Sequence, residues 1–403
     1  MEFKKYKIEE IGEVIGGGTP STKKSEYYGG NIPWITPKDL SNFKEVFISE
    51  GERNITEEGL KNSSARTLPS NTVLMTSRAP IGYLAIAKNE VTTNQGFKSI
   101  ICNESLVKPL FLYYSLKYDM DKIKSLGTGS TFSEISGKVV KNIEINLPSI
   151  EYQTIIEYIL GNFDKKIELN QKIIANLEEF SQTLFKRWFV DFEFPDENGN
   201  PYKSSGGEMV DSELGEMPKD WKVDELGTYI KIKSGKRPKN KVDNKDVENK
   251  VPVIGASKIM GYTNDYLYNE KIIIIGRVGT HGVIQRFSTR TWPSDNTFVI
   301  TSDFESIIYQ FLKSVDYVSL NRGSTQPLLS QKDIKNTKVV MPTNENLLSK
   351  YQKENNHIFK MIDQKNIENQ KLTQLRDSLL PKLMSGEIEI PDDIEVNEDE
   401  LSI

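Results

Sequence analysis

The strongest constraint on this fold is that the chain repeats itself. Gly129-Ser130-Thr131, followed by Leu147-Pro148, is answered 194 residues on by Gly323-Ser324-Thr325 and Met341-Pro342. Arg78, in Thr76-Ser77-Arg78-Ala79-Pro80-Ile81-Gly82, is answered 199 residues on by Arg277 in Ile275-Gly276-Arg277-Val278-Gly279. Thr93-Asn94-Gln95-Gly96-Phe97 is echoed by Ser294-Asp295-Asn296-Thr297-Phe298. Solenoid repeats run about 20 to 50 residues, so a period this long describes two copies of a globular unit, each with a helix. Such a duplication suits a protein that grips two things a fixed distance apart.

Within the first copy, residues 1–148, short β-prone runs dominate. Val73-Leu74-Met75-Thr76 and Tyr83-Leu84-Ala85-Ile86-Ala87 flank a Pro-Ile-Gly turn and read as strands, and Gly96 to Cys102 adds a third. Pro109 to Leu116 spaces its apolar residues three or four apart and reads as a short helix. At Pro148-Ser149 the period changes. Phe163, Ile167, Asn170, Ile174, Leu177, Ser181, Leu184 and Trp188 alternate steps of four and three, the seam of a coiled coil. A proline-free helix over 149–190 spans on the order of 60 Å and needs a partner to cover that seam.

A breaker-rich linker, 191–213, precedes a second mixed unit, 214–342. Its strands are Val251 to Ile254, Lys271 to Ile275 and Thr297 to Ile300. A second long helix, 343–386, carries Ile358, Ile362, Asn369, Leu372, Leu375, Leu379 and Leu383, with Pro381 expected to kink or end it. The tail, 387–403, is acidic and expected to be disordered. The fold class is therefore α+β. Two mixed α/β units in a pseudo-two-fold repeat are separated by two long helices packed as an antiparallel coiled coil. Asn170 and Asn369 are equivalent in the repeat; either they meet on the seam and fix its register, or both point to solvent.

A net charge of −5 argues at first against an anionic partner. Eight acidic residues follow Lys382, however, and setting them aside leaves +3 on the rest. Lys231 to Lys250 holds eight Lys or Arg against three acids, a run that either neutralises phosphates or is a solvated loop. The single cysteine, Cys102, rules out an internal disulfide framework. No apolar stretch has the length of a signal peptide or membrane span, so the expected location is cytoplasmic, with no membrane partner.

Catalysis needs convergent groups, and the usual patterns are missing. There is no phosphate-binding Gly-x-x-x-x-Gly-Lys-Ser/Thr loop, and Ile15-Gly16-Gly17-Gly18 reads as a tight turn rather than a dinucleotide fingerprint. Gly276 to Gly282 joins two β-like runs and reads as a hairpin turn. His281, His357 and Cys102 cannot build a zinc cluster, and no metal site is expected. The Asn/Asp-Pro-Pro-Tyr/Phe tetrapeptide that holds a flipped adenine in amino-methyltransferases is absent. The chain reads as non-catalytic, with no catalytic residue assigned. What remains is polar readout chemistry: hydroxyls and amides that bond phosphates or base edges, and arginines in turns. Arg78 and Arg277 either reach a guanine edge or pair with carboxylates of their own domain.

At this point the residues match a family. Gly16-Gly17-Gly18-Thr19-Pro20-Ser21, Ile32-Pro33-Trp34-Ile35-Thr36-Pro37-Lys38-Asp39-Leu40, Ser77 to Gly82 and Asn94-Gln95-Gly96-Phe97 appear in that order. Leu184 to Phe192 and Leu375 to Ile388 follow. Taken together, and covering nearly the whole length, they resemble the specificity subunit of a type I restriction-modification system. The second half departs from the pattern. Lys233-Ser234-Gly235-Lys236-Arg237-Pro238 replaces the Gly-Thr-Pro-Ser start, and Val251-Pro252-Val253-Ile254-Gly255-Ala256 stands for the Trp-Ile-Thr-Pro segment.

The resemblance implies two target-recognition domains, each reading half of a bipartite, asymmetric site in double-stranded DNA. It implies helices that set the spacer and dock two methyltransferase subunits, with restriction subunits joining the assembly. No cofactor is expected on this chain; S-adenosylmethionine, ATP and magnesium belong to the partner subunits. Lys23, Lys24, Lys236, Arg237 and Lys239 are the expected phosphate contacts, and Arg78, Thr131, Arg277 and Gln326 the expected base contacts. Three other readings stay open. They are an orphan or recombined subunit that retargets a resident system, a β-rich binding module unconnected to DNA, and a standalone enzyme whose motifs are missing.

Overall fold

The structure is a computed structural model that describes residues 2–78, 80–128, 133–278, 282–320, 322 and 328–390. The chain divides into two units. The first is discontinuous, Met1–Gln171 with Glu368–Ile403, and the second is the continuous stretch Lys172–Ile367. Each long helix contributes to both, so each unit comprises a globular domain and a segment of both helices.

In the first unit the central strand, Val73–Ser77, is buried along its whole length, which explains its unbroken apolar run. It lies between Lys98–Cys102 and Ile81–Ala87 in a five-stranded sheet that Gly12–Gly16 and Phe47–Ile48 complete at the two edges. A three-stranded sheet places Tyr28–Ile35 between Arg53–Ile55 and Thr92–Thr93, the last pair parallel. A further pair, Lys4–Lys7 with Glu144–Leu147, ties the start of the domain to its end. The expected helix is present as Pro109–Tyr118, with Phe111, Leu112 and Tyr114 in the core.

The second unit repeats this plan. Ile272–Gly276 is again fully buried, between Thr297–Thr301 and Ile284–Phe287, with Lys231–Ser234 at one edge. Val251–Ile254 lies between Ile259–Thr263 and Trp292–Pro293, the last pair parallel, and Trp221–Glu225 pairs with Lys338–Pro342. Of the hairpin Met209–Ser212 with Gly215–Pro218, the second strand lies in the expected second unit and the first in the stretch expected to be a linker. That stretch also sends Phe192 and Phe194 into the second unit's core beside Trp221.

Ladder rungs give the repeat its true alignment. Thr76 bridges Phe97 as Gly276 bridges Thr297, and Ser77 N–H donates to Gly96 O (2.7 Å) as Arg277 N–H donates to Asn296 O (2.8 Å). The offset here is 200 residues. Arg277 therefore stands where Ser77 stands, and Val278 matches Arg78. The 199-residue match was one position out, because shared arginine identity outweighed the register of the strands. The echo of Thr93 to Phe97 shifts likewise: Phe97 is answered by Thr297, not Phe298.

The helices run Ile150–Phe185 and Glu345–Ser385, and the first ends in one π-helical turn, Lys186–Val190. They pair antiparallel within each unit. In the first, Asp164 pairs with Arg376, and Asn170 Nδ2 donates to Asn369 Oδ1 at 2.9 Å. In the second, Ile358, Phe359 and Ile362 pack against Ile174, Leu177 and Leu184. All eight expected seam positions of the first helix are buried or half-buried. Leu375 is not on the seam and is 51% exposed; Arg376 takes its place, its guanidinium paired with half-buried Asp164. Pro381 does not end the helix, which runs one further turn to Ser385. Leu380, Leu383 and Met384 are buried in the first unit's core and hold the segment helical through Ser385. The tail also starts out packed, since Ile390 belongs to that core; residues 391–403 lie outside the described residues.

Candidate nucleic-acid interface

In each unit the roots of loops that carry candidate residues meet one short segment, 93–97 in the first and 293–297 in the second. Gly17 and Gly235 make the approach possible. A Cβ on Gly17 would come 1.9 Å from Asn94 O, and one on Gly235 would come 2.2 Å from Ser294 O. No side chain fits there. Gly18 N–H then donates to Thr93 O (2.9 Å), and Lys236 N–H to Pro293 O (3.0 Å). The loop that follows carries the expected phosphate contacts in both units.

Lys23 and Lys24 are exposed. Lys24 Nζ donates to Tyr27 Oη (2.9 Å) and sits 4.8 Å from that ring's centroid, and the hydroxyl raises its pKa. Lys236, Arg237 and Lys239 are likewise exposed, and Arg237 pairs with Asp295 of the supporting segment at 3.3 Å. Arg237 and Arg277 thus both bear on 293–297. Arg277 follows its strand with an exposed side chain, its guanidinium 5.8 Å from the Phe298 ring centroid. Arg78 is half-buried and lies 3.8 Å from Glu134, the intradomain carboxylate pairing that was the alternative for it. Thr131 and Gln326, and with them the Gly-Ser-Thr loops, lie outside the described residues, as does His281.

Sequence reasoning missed the indoles that support these loops. Trp34 Nε1 donates to Gly18 O (3.0 Å), and Trp292 Nε1 donates to Lys236 O (2.7 Å). Both rings are buried, at 6% and 8% exposure. It also missed Gln331, whose Nε2 donates to Ser234 Oγ (3.2 Å) at the root of the second loop. The run Lys231 to Lys250 is mostly exposed, with Lys241 held to Asp243 at 3.1 Å.

Among the described residues no group of three or more His, Cys, Asp or Glu could hold a metal ion. No helix among them is long and apolar enough to cross a membrane. Among the described residues, these surfaces are cation-bearing loops rooted beside the sheets, which can bind a polyanion.

A repeated recognition domain joined to paired long helices defines the class, and comparison with known proteins gives the family. The model of the type I restriction modification DNA specificity domain matches residues 1–179 and 218–377. The specificity subunit of the type I restriction enzyme MjaIX of Methanocaldococcus jannaschii is 38% identical, across 95% of this chain and 93% of that protein. The EcoR124I/EcoR124II specificity subunit of Escherichia coli is 31% identical over 43% of this chain and 47% of its own length. The crystal structure of a type I restriction-modification S subunit from M. genitalium shares the fold, with a TM-score of 0.60 at 19% identity, covering 95% of this chain and 96% of that one. The chain belongs to the type I restriction-modification DNA specificity family. Its role is DNA sequence recognition within a restriction-modification complex rather than catalysis, with DNA and methyltransferase subunits as partners.

Proposed function

We propose that this chain reads a bipartite, asymmetric DNA target, one half per unit. On this reading the length of the two long helices, common to both units, sets the non-specific spacer, and the same helices dock two methyltransferase subunits. Those subunits would methylate adenine with S-adenosylmethionine, and restriction subunits would add ATP- and magnesium-dependent cleavage. Residues 1–148 and 214–342 are the proposed target-recognition domains.

The observation that carries the reading is that one hydrogen-bonded frame recurs in both units while the side chains mounted on it differ. Ser77 and Arg277 occupy the same rung, as do Arg78 and Val278. A shared frame with unlike reading groups suits two different half-sites. Lys23, Lys24, Lys236, Arg237 and Lys239 would anchor phosphates, while Arg78 and Arg277, with Thr131 and Gln326, would approach bases.

Sequencing methylated adenines in cells carrying variant chains tests this. Arg78→Ala should cost roughly 1–3 kcal/mol at one half-site and leave the other unchanged, with Arg277→Ala affecting the opposite half. An identical methylation motif for both variants and the parent would refute the assignment.

A further inference from the structure

The two loop-supporting tryptophans are not equivalent residues. Strand Tyr28–Ile35 pairs parallel with Thr92–Thr93, and Trp34 faces Thr92 in register. In the second unit Val253 faces Trp292 in the same parallel register. The frame shows that these pairs correspond: Asn94 N–H donates to Ile35 O, and Ser294 N–H donates to Ile254 O, both at 2.9 Å. Trp34 therefore aligns with Val253, and Trp292 with Thr92. The indole sits on one strand in the first unit and on its register partner in the second.

Its polar target is the same in both. Gly18 and Lys236 are each held at both backbone polar groups, the N–H by the carbonyl of Thr93 or Pro293 and the carbonyl by an indole N–H. The two peptide planes that flank the residue are thus each held by one hydrogen bond. In the first unit Tyr28 Oη adds a bond to Pro20 O (2.7 Å), and its ring meets Trp34 edge-on at 5.8 Å. An unpaired carbonyl at either site would be costly, because the indoles that cover it exclude water.

We propose that Trp34 and Trp292 are positioning residues for DNA recognition. Each pre-orders the loop that presents Lys23 and Lys24, or Lys236, Arg237 and Lys239, so that ordering is not charged against binding. The shift of the indole between register partners retains the hydrogen bond while the surrounding surface diverges. The proposal rests on the DNA-contact reading of these loops.

The test uses the full chain with its methyltransferase subunits. Trp34→Phe and Trp292→Phe keep an aromatic ring and remove the donor. Each should speed amide exchange in its own loop, 17–24 or 235–241. Each should also weaken methylation of the bipartite target about 3- to 10-fold, the worth of one buried hydrogen bond. The double variant Trp34→Val with Thr92→Trp copies the second unit's arrangement and should restore both loop protection and methylation. Unchanged loop exchange in both single variants would overturn the proposal. So would a loss of methylation that persists when the double variant has restored loop protection, since that is the mark of a merely structural ring. Loop release with methylation unaltered would uphold the anchor and remove instead the DNA-contact reading.

Discussion

Arg286 offers the sharpest energetic test of how the second unit holds together. Its side chain is 8% exposed; Nε donates to Glu305 Oε1 at 2.5 Å, and the two terminal nitrogens donate to Asp363 at 2.7 and 3.0 Å. The guanidinium also lies 4.4 Å from the Phe359 ring centroid. One residue on a sheet strand thus binds the domain helix through Glu305 and the second long helix through Asp363. Arg286→Met keeps much of the apolar stem and removes the charge. Asp363, at 26% side-chain exposure, can recover water, but Glu305, at 6%, cannot. Removing one partner of a buried pair costs about 3–5 kcal/mol, and the lost ring contact adds about 1 kcal/mol that methionine packing partly offsets. We expect a net loss of about 3–5 kcal/mol in the second unit, read as faster amide exchange over residues 272–287 and 305–314. The triple variant Arg286→Met, Glu305→Leu, Asp363→Leu should return to within about 1 kcal/mol of the parent or exceed it, because no charge is then stranded. A single variant that loses less than about 1 kcal/mol would refute the reasoning.

Two further perturbations concern the first unit. Burial pushes the Glu157 carboxyl up to about 7, against the N–H groups of Phe111 and Leu110 that favour its charged form. The folded state then holds a proton that the unfolded chain releases near 4.5, so this group should cost the unit about 3 kcal/mol as pH rises from about 4.5 to 7, and no more above that. Glu157→Gln keeps an acceptor for Phe111 and should flatten that slope in denaturation measured across this range; equal slopes would count against it. Asn170→Leu alone strands Asn369 and should cost about 1 kcal/mol or more, whereas Asn170→Leu with Asn369→Leu should stabilise the pair and loosen its register. A double variant with a lower melting temperature than the parent would argue against a register role.

Much of this architecture could be read directly from the chain. The helix seam is local and periodic, so Ile167 and Ser181 declared their burial through spacing alone, whereas spacing left Asn170 open between the seam and solvent. The central strands were equally plain, because Val73 to Met75 and Ile272 to Ile275 are apolar without interruption. The loop anchors were invisible, because Trp292 stands 56 residues from the carbonyl it binds and nothing local marks the pairing. Arg277 misled for the opposite reason: a matching side chain one rung out of register looked like an equivalent. Leu375 and Arg376 show the same limit, since the neighbour that faces the seam is the one that pairs with Asp164, far away in sequence.

The discontinuity of the first unit has a consequence for synthesis. Its core includes Leu380, Leu383, Met384 and Ile390, while Lys172–Ile367 belongs wholly to the other unit. Residues 1–171 emerge first, yet they cannot close until the stretch after Ile367 has been made. At roughly 5–20 residues per second, translation of the intervening segment takes on the order of 10–40 s. During that interval the core that Leu380, Leu383, Met384 and Ile390 join lacks their side chains, while the second unit can complete itself from continuous sequence. The half that leaves the ribosome first is the half finished last.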